Sequence, residues 1–177
     1  MSRKADPQIK MNLLKKCAEG AIEKGSLNLA IHEYAEIADT SARMLVYHFG
    51  SKVRLDEQIA IQLDEMMRHE FTRNFELKSK SGNALLEFWD HVTGNEKFKK
   101  LAVLSMTLNM GPKVRRSLKG LMETQTIEWI RMIRKYFKSD QAAETAFLLA
   151  QGAMIDFFLT GNKERGRRCL EKTITSK

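Results

Sequence analysis

The sequence predicts an all-α protein, and three observations support that fold class. Apolar residues recur at offsets of three and four along most of the 177-residue chain, which is the periodicity of one face of a helix. Only two prolines occur, Pro7 and Pro112, and neither falls inside a long periodic segment. The sequence lacks any convincing alternation of apolar and polar residues, so no strand or hairpin is predicted.

Three short helices are predicted within the first fifty residues. The first ends at a glycine cap, Gly25, and carries an apolar face of Leu13, Leu14, Cys17, Ala18, Ala21 and Ile22. The second carries Ile31, Tyr34, Ala35 and Ala38 and runs into Asp39-Thr40. The third is short and pairs Leu45 with Phe49. Gly50-Ser51 then interrupts the pattern.

The rest of the chain also has helical periodicity. Ser51 is a natural N-cap for a long helix that starts at Lys52 and reaches the mid-seventies. Residues 78–83 are expected to form a loop, because they are polar and include Gly and Asn. Further helices are predicted near 83–93, 96–110, 112–138, 140–160 and 162–174. We therefore expect an N-terminal helical domain over 1–52 and a larger helical domain over 53–177.

Composition indicates a globular chain and restricts its surroundings. Hydrophobic residues make up 43% and charged residues 29%, which is too apolar for a disordered protein. Cys17 and Cys169 form no CxxC pair and no secretory leader is recognised, so reduced thiols and a cytoplasmic location are expected. Ala146–Leu159 is interrupted by two polar residues and is too short for a bilayer span, so no membrane contact is expected.

The net charge of +8 permits a polyanionic partner without showing which surface would bind it. Residues 1–52 hold eight Lys or Arg and six Asp or Glu, so only +2 of that charge lies in the first domain. Net charge is therefore weak support for a nucleic-acid partner, and the argument depends on the arrangement of particular residues.

Residues 29–49 have the layout of a helix-turn-helix, in which the second helix enters the major groove of DNA. Leu45 and Phe49 would hold that helix against the first two helices. Its opposite face would then expose Ala42, Arg43, Met44, Tyr47 and His48. Large aromatic tips beside a cation are typical of a contact surface rather than of a helix that only packs.

The run from Tyr34 through Lys52, YAEIADTSARMLVYHFGSK, resembles without gaps the signature of the TetR family of transcriptional regulators. The resemblance implies that Ala42, Arg43 and Met44 face base edges, that Tyr47, His48 and Lys52 hold backbone phosphates, and that Ser41 caps the recognition helix. A guanidinium can bond both acceptors of a guanine, and the methyl groups of Ala and Met can touch that of a thymine. Lys52 would add its charge to helix N-terminal amides that already favour an anion.

Two departures from that family pattern occur in the turn. Asp39 stands where the family usually has glycine, and Thr40 stands where it usually has a hydrophobic residue. Asp tolerates a left-handed backbone better than most residues, so the turn is expected to form. Met44 also replaces a common small hydroxyl residue, which changes the expected base preference there.

A looser resemblance covers the last helix pair, Ala146–Leu159 followed by TGNKER, which in the family packs against its copy in a four-helix dimer interface. Its apolar surface exceeds what one intramolecular face needs; the alternative is that this helix is the innermost core helix. The residues expected at the interface are Phe147, Gln151, Met154, Ile155 and Phe158. A homodimer would read two half-sites of a palindromic operator, about 34 Å apart.

The family resemblance also implies a small-molecule effector, which would release the protein from double-stranded DNA. A hydrophobic or aromatic effector suits the aromatic and Met residues on the corresponding helices, although each of them could equally be core: Phe71, Phe75, Phe88, Trp89, Met106, Met110 and Trp129. The expected function is a sequence-specific regulator, a repressor by family habit.

Other readings have less support in the sequence. GxSxG, HExxH and phosphate-binding glycine loops do not occur, so we expect neither catalysis nor a cofactor. Glu87 and His91 could share a metal, but two ligands are too few, so none is expected. The basic runs at 97–100, 113–119 and 165–168 leave one alternative open, which is a helical protein that binds nucleic acid without specificity or effector.

Overall fold

A computed structural model of the chain describes residues 6–76, 84–108 and 114–175. Within these ranges every regular element is helical, so the predicted all-α class is confirmed. The helices are α1 (Pro7–Lys24), α2 (Ile31–Ile37), α3 (Ala42–Phe49), α4 (Lys52–Glu70), α5 (Ala84–Gly94), α6 (Glu96–Leu108), α7 (Val114–Ile133), α8 (Asp140–Thr160) and α9 (Lys163–Thr175).

Two short elements change the course of the predicted long helices. The helix predicted from Lys52 to the mid-seventies is α-helical only to Glu70 and continues as a π-helical turn, Phe71–Glu76. The helix predicted to end near 138 ends at Ile133 and is followed by a 3-10 turn, Arg134–Tyr136. The loop predicted over 78–83 lies outside the described residues.

The chain divides into two compact units. The first comprises Met1–Met67 with Lys100–Leu118, and the second comprises Arg68–Lys99 with Lys119–Lys177. Helix α4 continues without a break from Lys52 to Glu70. The domain boundary after residue 52 stays a prediction.

The core of the first unit forms where α1, α2 and α3 pack against each other. Cys17, Tyr34 and Leu45 are fully buried, one from each of these helices, and Leu55 of α4 is buried with them. Burial raises the pKa of the Cys17 thiol to about 11, in accord with its predicted role as a small core residue. Gly25, with φ of 63°, ends α1 as predicted, and its amide donates to Ile22.

The second unit is organised around the packing of α9 against α5 and α8. The indole of Trp89 is 2% exposed, and its Nε1–H donates to the carbonyl of Lys163 at 3.2 Å. Gly166 is needed at this contact, because a Cβ there would lie 2.5 Å from the indole ring. Ser139 caps α8 by accepting from Ala142, and Gly161 ends it with φ of 71°.

Helix α8 is long and apolar enough, by length and composition alone, to cross a membrane. This finding differs from the sequence analysis, which predicts no membrane-spanning segment. Helices at the centre of a protein core pass the same test, but only 28% of the most apolar stretch of α8 is buried in the single chain, with Ala143, Ala146 and Phe157 among the buried residues. The absence of membrane contact therefore stays a prediction.

Candidate nucleic-acid interface

The turn between α2 and α3 is built by hydrogen bonds that end one helix before the next begins. The amide of Asp39 donates to the carbonyl of Glu36 at 3.1 Å, and the amide of Thr40 donates to that of Ala35 at 2.9 Å. This pair of bonds is a Schellman motif, which requires a left-handed residue after the helix cap. Asp39 takes that conformation with φ of 53°, as the sequence predicted.

Serine residues cap both helices that follow. The hydroxyl of Ser41 accepts from the amide of Met44 at 3.2 Å, as predicted for the start of α3. The hydroxyl of Ser51 accepts from the amide of Arg54 at 3.2 Å and caps α4 in the same way. The start of each helix is therefore marked by a local sequence signal.

Helix α3 has one buried face and one exposed face. Leu45 is fully buried and Phe49 is 3% exposed, so both anchor the helix to the unit. The opposite face exposes Arg43, together with Met44 at 40% and Tyr47 at 48%. Ala42 is half-buried at the first turn.

His48 does not lie on the exposed face, and the prediction that its side chain points outward is wrong. The imidazole is only 7% exposed, because residue 48 is one turn beyond Leu45 and shares its buried side of α3. Neither ring nitrogen has a hydrogen-bond partner within the described part of the chain. The ring stands edge-on to Tyr47 with centroids 5.1 Å apart.

Lys52 is held at the start of α4 by two neighbours. Its Nζ donates to both carboxylate oxygens of Asp56 at 2.6 Å and lies 5.2 Å from the centre of the Tyr34 ring. Burial raises the pKa of Asp56 above its usual range, and the contacts with Lys52 offset part of that rise. Lys52 therefore has a fixed place in this surface and a charge that Asp56 partly neutralises.

Three exposed residues of this surface were missed in the sequence. Val46 is 44% exposed on α3 and Val53 is 58% exposed at the first turn of α4, while Arg54 is also exposed. Val46 follows Arg43 by three residues, so helix periodicity could have placed it on the outer face. Arg54 follows its serine cap by three residues, a position near the helix N-terminus that favours anion contacts.

Four aromatic residues of the second unit form a second candidate site, here called the aromatic cluster: Phe71, Phe88, Trp129 and Tyr136. The Phe71 ring is fully buried, and its centroid lies 5.2 Å from that of Phe88 and 6.1 Å from that of Trp129. Tyr136 meets Phe71 edge-on at 6.4 Å. Three of the seven residues predicted to line an effector pocket are thus brought together.

The other predicted lining residues do not join the aromatic cluster. Trp89 packs edge-on against Phe157, with ring centroids 6.2 Å apart, and its indole N–H donates to the carbonyl of Lys163. Its described contacts are therefore those of a core residue. Met106 is half-buried and belongs to the first unit. The Phe75 side chain and the whole of Met110 lie outside the described residues.

The residues predicted at a dimer interface lie on two sides of α8. Met154 is 9% exposed and points into its own unit, so that residue is a core residue in the single chain. Ile155 is 37% exposed, whereas Phe147, Gln151 and Phe158 are half-buried. Leu148 and Leu159 are more exposed, at 56% and 81%, and with Ile155 they form an apolar stripe along α8.

Two solved structures share the fold of the chain. One is a protein from Rhodococcus sp. described as a TetR-family transcriptional regulator, with 16% identity, a TM-score of 0.67 and coverage of 96% of this chain and 98% of that one. The other is the multidrug binding protein EbrR in complex with imidazole, with 14% identity, a TM-score of 0.74 and coverage of 95% and 96%. No family model and no curated protein matches the sequence. The chain therefore has the fold of these two proteins along almost its whole length.

Proposed function

We propose that this chain, which has the fold of a TetR-family regulator, is a cytoplasmic, sequence-specific DNA-binding transcriptional regulator. The observation that carries the proposal is the capped helix α3, which follows a Schellman turn and exposes Arg43, Met44 and Tyr47 on one face. A short helix held in this way is the element that helix-turn-helix proteins insert in the major groove.

Each exposed group of α3 has a partner of matching chemistry on DNA. Arg43 can donate two hydrogen bonds to O6 and N7 of a guanine, and Met44 can cover the methyl of a thymine, with Ala42 beside it. The Tyr47 hydroxyl and the Lys52 ammonium are assigned to backbone phosphates, where they fix the register of the helix. The buried ring of His48 is assigned to hold the exposed ring of Tyr47 in place, with the two ring centroids 5.1 Å apart.

We infer that the active form is a homodimer joined through α8 and α9. Leu148, Ile155 and Leu159 lie at offsets of seven and four along α8 and together form the exposed apolar stripe. Large apolar side chains that stay exposed in one chain are typical of an interface core. Beside the stripe, Arg165 Nε donates to Asp156 Oδ2 at 2.8 Å. A charged pair at this position fits the polar rim of a protein interface better than a surface in contact with lipid. Two copies of α3 would then read a palindrome.

We further propose that DNA binding is repressive and is released by a small hydrophobic or aromatic effector in the second unit. Phe71, Phe88 and Trp129 supply an apolar aromatic lining suited to such a molecule. EbrR, which shares the fold, is described as a multidrug binding protein. Release follows if the effector binds more tightly to a conformation that cannot place both recognition helices on the operator.

The competing proposal, nonspecific coating of nucleic acid, has less support from the charges. Several cations of the basic runs are already engaged: Lys99 with Glu96 at 2.6 Å, Arg165 with Asp156, and Arg167 with Asp90 at 3.1 Å. Paired cations release fewer counterions on binding phosphate, so they contribute less to nonspecific affinity.

Selection of bound duplexes from a random pool tests the proposal. The full-length protein should enrich a palindrome whose half-sites are one helical turn apart, because two α3 helices in a symmetric dimer must read related sequences. Uniform recovery without any enriched motif would favour the nonspecific alternative. A single unrepeated half-site would retain sequence-specific binding and contradict the dimeric mode.

A further inference from the structure

Gln125 of α7 is a buried polar residue that belongs neither to the candidate DNA-binding surface, nor to the apolar stripe, nor to the aromatic cluster. Its side chain is 5% exposed, and neither the amide nitrogen nor the carbonyl oxygen has a hydrogen-bond partner among the described residues. A buried carboxamide without partners is costly, and proteins usually keep one only where something else supplies the bonds.

The position of Gln125 on α7 relates it to the aromatic cluster. Trp129 follows four residues later, so the two side chains lie on the same face of the helix. That face is the one directed at the π-helical turn and α5, because the Trp129 ring is 6.1 Å from those of Phe71 and Phe88. The unpartnered amide therefore stands one helical turn along α7 from Trp129, whose ring meets that of Phe71 edge-on and that of Phe88 at a tilt.

We propose that Gln125 is the polar recognition residue of the effector site, and that the effector is an uncharged, flat aromatic molecule with a hydrogen-bond donor beside an acceptor. A cyclic amide or lactam has this pattern. The carboxamide of Gln offers one donor and one acceptor in a plane, and such a group forms two parallel bonds with an edge of matching pattern. This inference rests on one part of the proposed function, namely that the second unit binds an effector.

The same geometry argues against two other kinds of ligand. A charged ligand would lose its hydration beside the apolar rings, and the neutral side chain of Gln125 could not compensate its charge. A plain hydrocarbon would leave both polar atoms of Gln125 without partners, so its affinity would be lower than that of an amide-bearing ring of equal size. The expected preference is therefore for ring shape together with a donor–acceptor edge.

The test uses two probes with the same fused-ring skeleton, quinolin-2(1H)-one and quinoline, of which only the first carries a donor beside an acceptor. Calorimetric titration of the full-length protein in the absence of DNA should show quinolin-2(1H)-one binding at least about tenfold more tightly than quinoline. In Gln125→Leu the preference should disappear while quinoline still binds. Gln141→Leu, an exposed position on α8, is the matched control and should keep the preference.

The Tm of ligand-free Gln125→Leu gives a second test. A purely structural role for Gln125 would change this Tm in the opposite direction from the proposed recognition role. Removal of an unsatisfied amide should raise the Tm of Gln125→Leu by about 2–4 °C, whereas loss of internal hydrogen bonds would lower it. The proposal is overturned by a lowered Tm, by an unchanged preference in Gln125→Leu, or by binding of neither probe. Titration without DNA keeps this outcome separate from the duplex selection, which tests the DNA-binding function alone.

Discussion

Gly20 of α1 lies directly against Ile37 of α2, so closely that a Cβ at position 20 would stand 2.3 Å from Cγ2 of Ile37. This contact lets α2 approach the first helix within the unit that carries the candidate DNA-binding surface. Ile37 is β-branched and stiff at χ1, so its side chain has little freedom to move aside.

We therefore expect Gly20→Ala to destabilise the protein. Overpacking costs about 1–3 kcal/mol, and the better helix propensity of Ala returns up to about 1 kcal/mol. Urea denaturation should thus show a net loss in the free energy of unfolding. Gly120→Ala is the control, because a Cβ there meets nothing within 4 Å, and it should raise stability. Equal stabilisation by both variants would refute the close contact.

Asp39 provides a second prediction, about the turn. Asp39→Ala should lower the free energy of unfolding by about 1 kcal/mol, because Ala is poorly suited to φ of 53°. Asp39→Gly should match or exceed the wild-type stability, since glycine has no such penalty. Asp39→Asn removes the charge and keeps tolerance of the left-handed region, so it should differ little from wild type. A loss in Asp39→Asn as large as in Asp39→Ala would assign the effect to the carboxylate instead.

The buried thiol of Cys17 predicts a dependence of stability on alkaline pH. Its pKa is about 11 in the folded protein against an ordinary value of 9.0, so the unfolded chain loses the proton first. The stability contribution is complete below pH 9 and declines by about 1–3 kcal/mol as pH rises towards 11. The free energy of unfolding of Cys17→Ala, measured at pH 8 and pH 10.5, should fall less than that of wild type. An identical fall in both proteins would contradict burial of the thiol.

The apolar stripe on α8 predicts the effect of interface substitutions. Ile155→Glu combined with Leu159→Glu should convert the proposed dimer to a folded monomer in sedimentation velocity, because each side chain is exposed in the single chain but would be desolvated in that dimer. Ile127→Glu, at 44% exposure on α7, is the control and should remain dimeric. Unchanged dimers in the double variant would place the interface elsewhere.

Local rules of sequence predicted much of the first unit. The capping roles of Ser41, Ser51 and Gly25 could be predicted because each makes its cap hydrogen bond with a residue only three positions away. His48 was misplaced although its spacing from Leu45 puts it on the buried side of α3. Resemblance to a contact motif does not separate the exposed Tyr47 from the buried His48, whereas helix periodicity does.

Residue roles in the second unit were harder to predict, because they depend on partners far away in the chain. Trp89 donates to the carbonyl of Lys163, 74 residues later, and no pattern around Trp89 indicates that bond. Apolar periodicity identified α8 as a helix but could not separate the inward Met154 from the outward Leu159. The π-helical turn at Phe71 has no sequence signal that we can identify.

The measurement that tests the central claim most directly compares wild type and Arg43→Ala on the selected operator and on a random duplex at one salt concentration. Direct base readout by Arg43 predicts a loss of about 1–3 kcal/mol on the operator and little change on random DNA. Equal losses on both duplexes would mean that Arg43 contacts only phosphates, and would contradict the assignment of α3 as the helix that reads sequence.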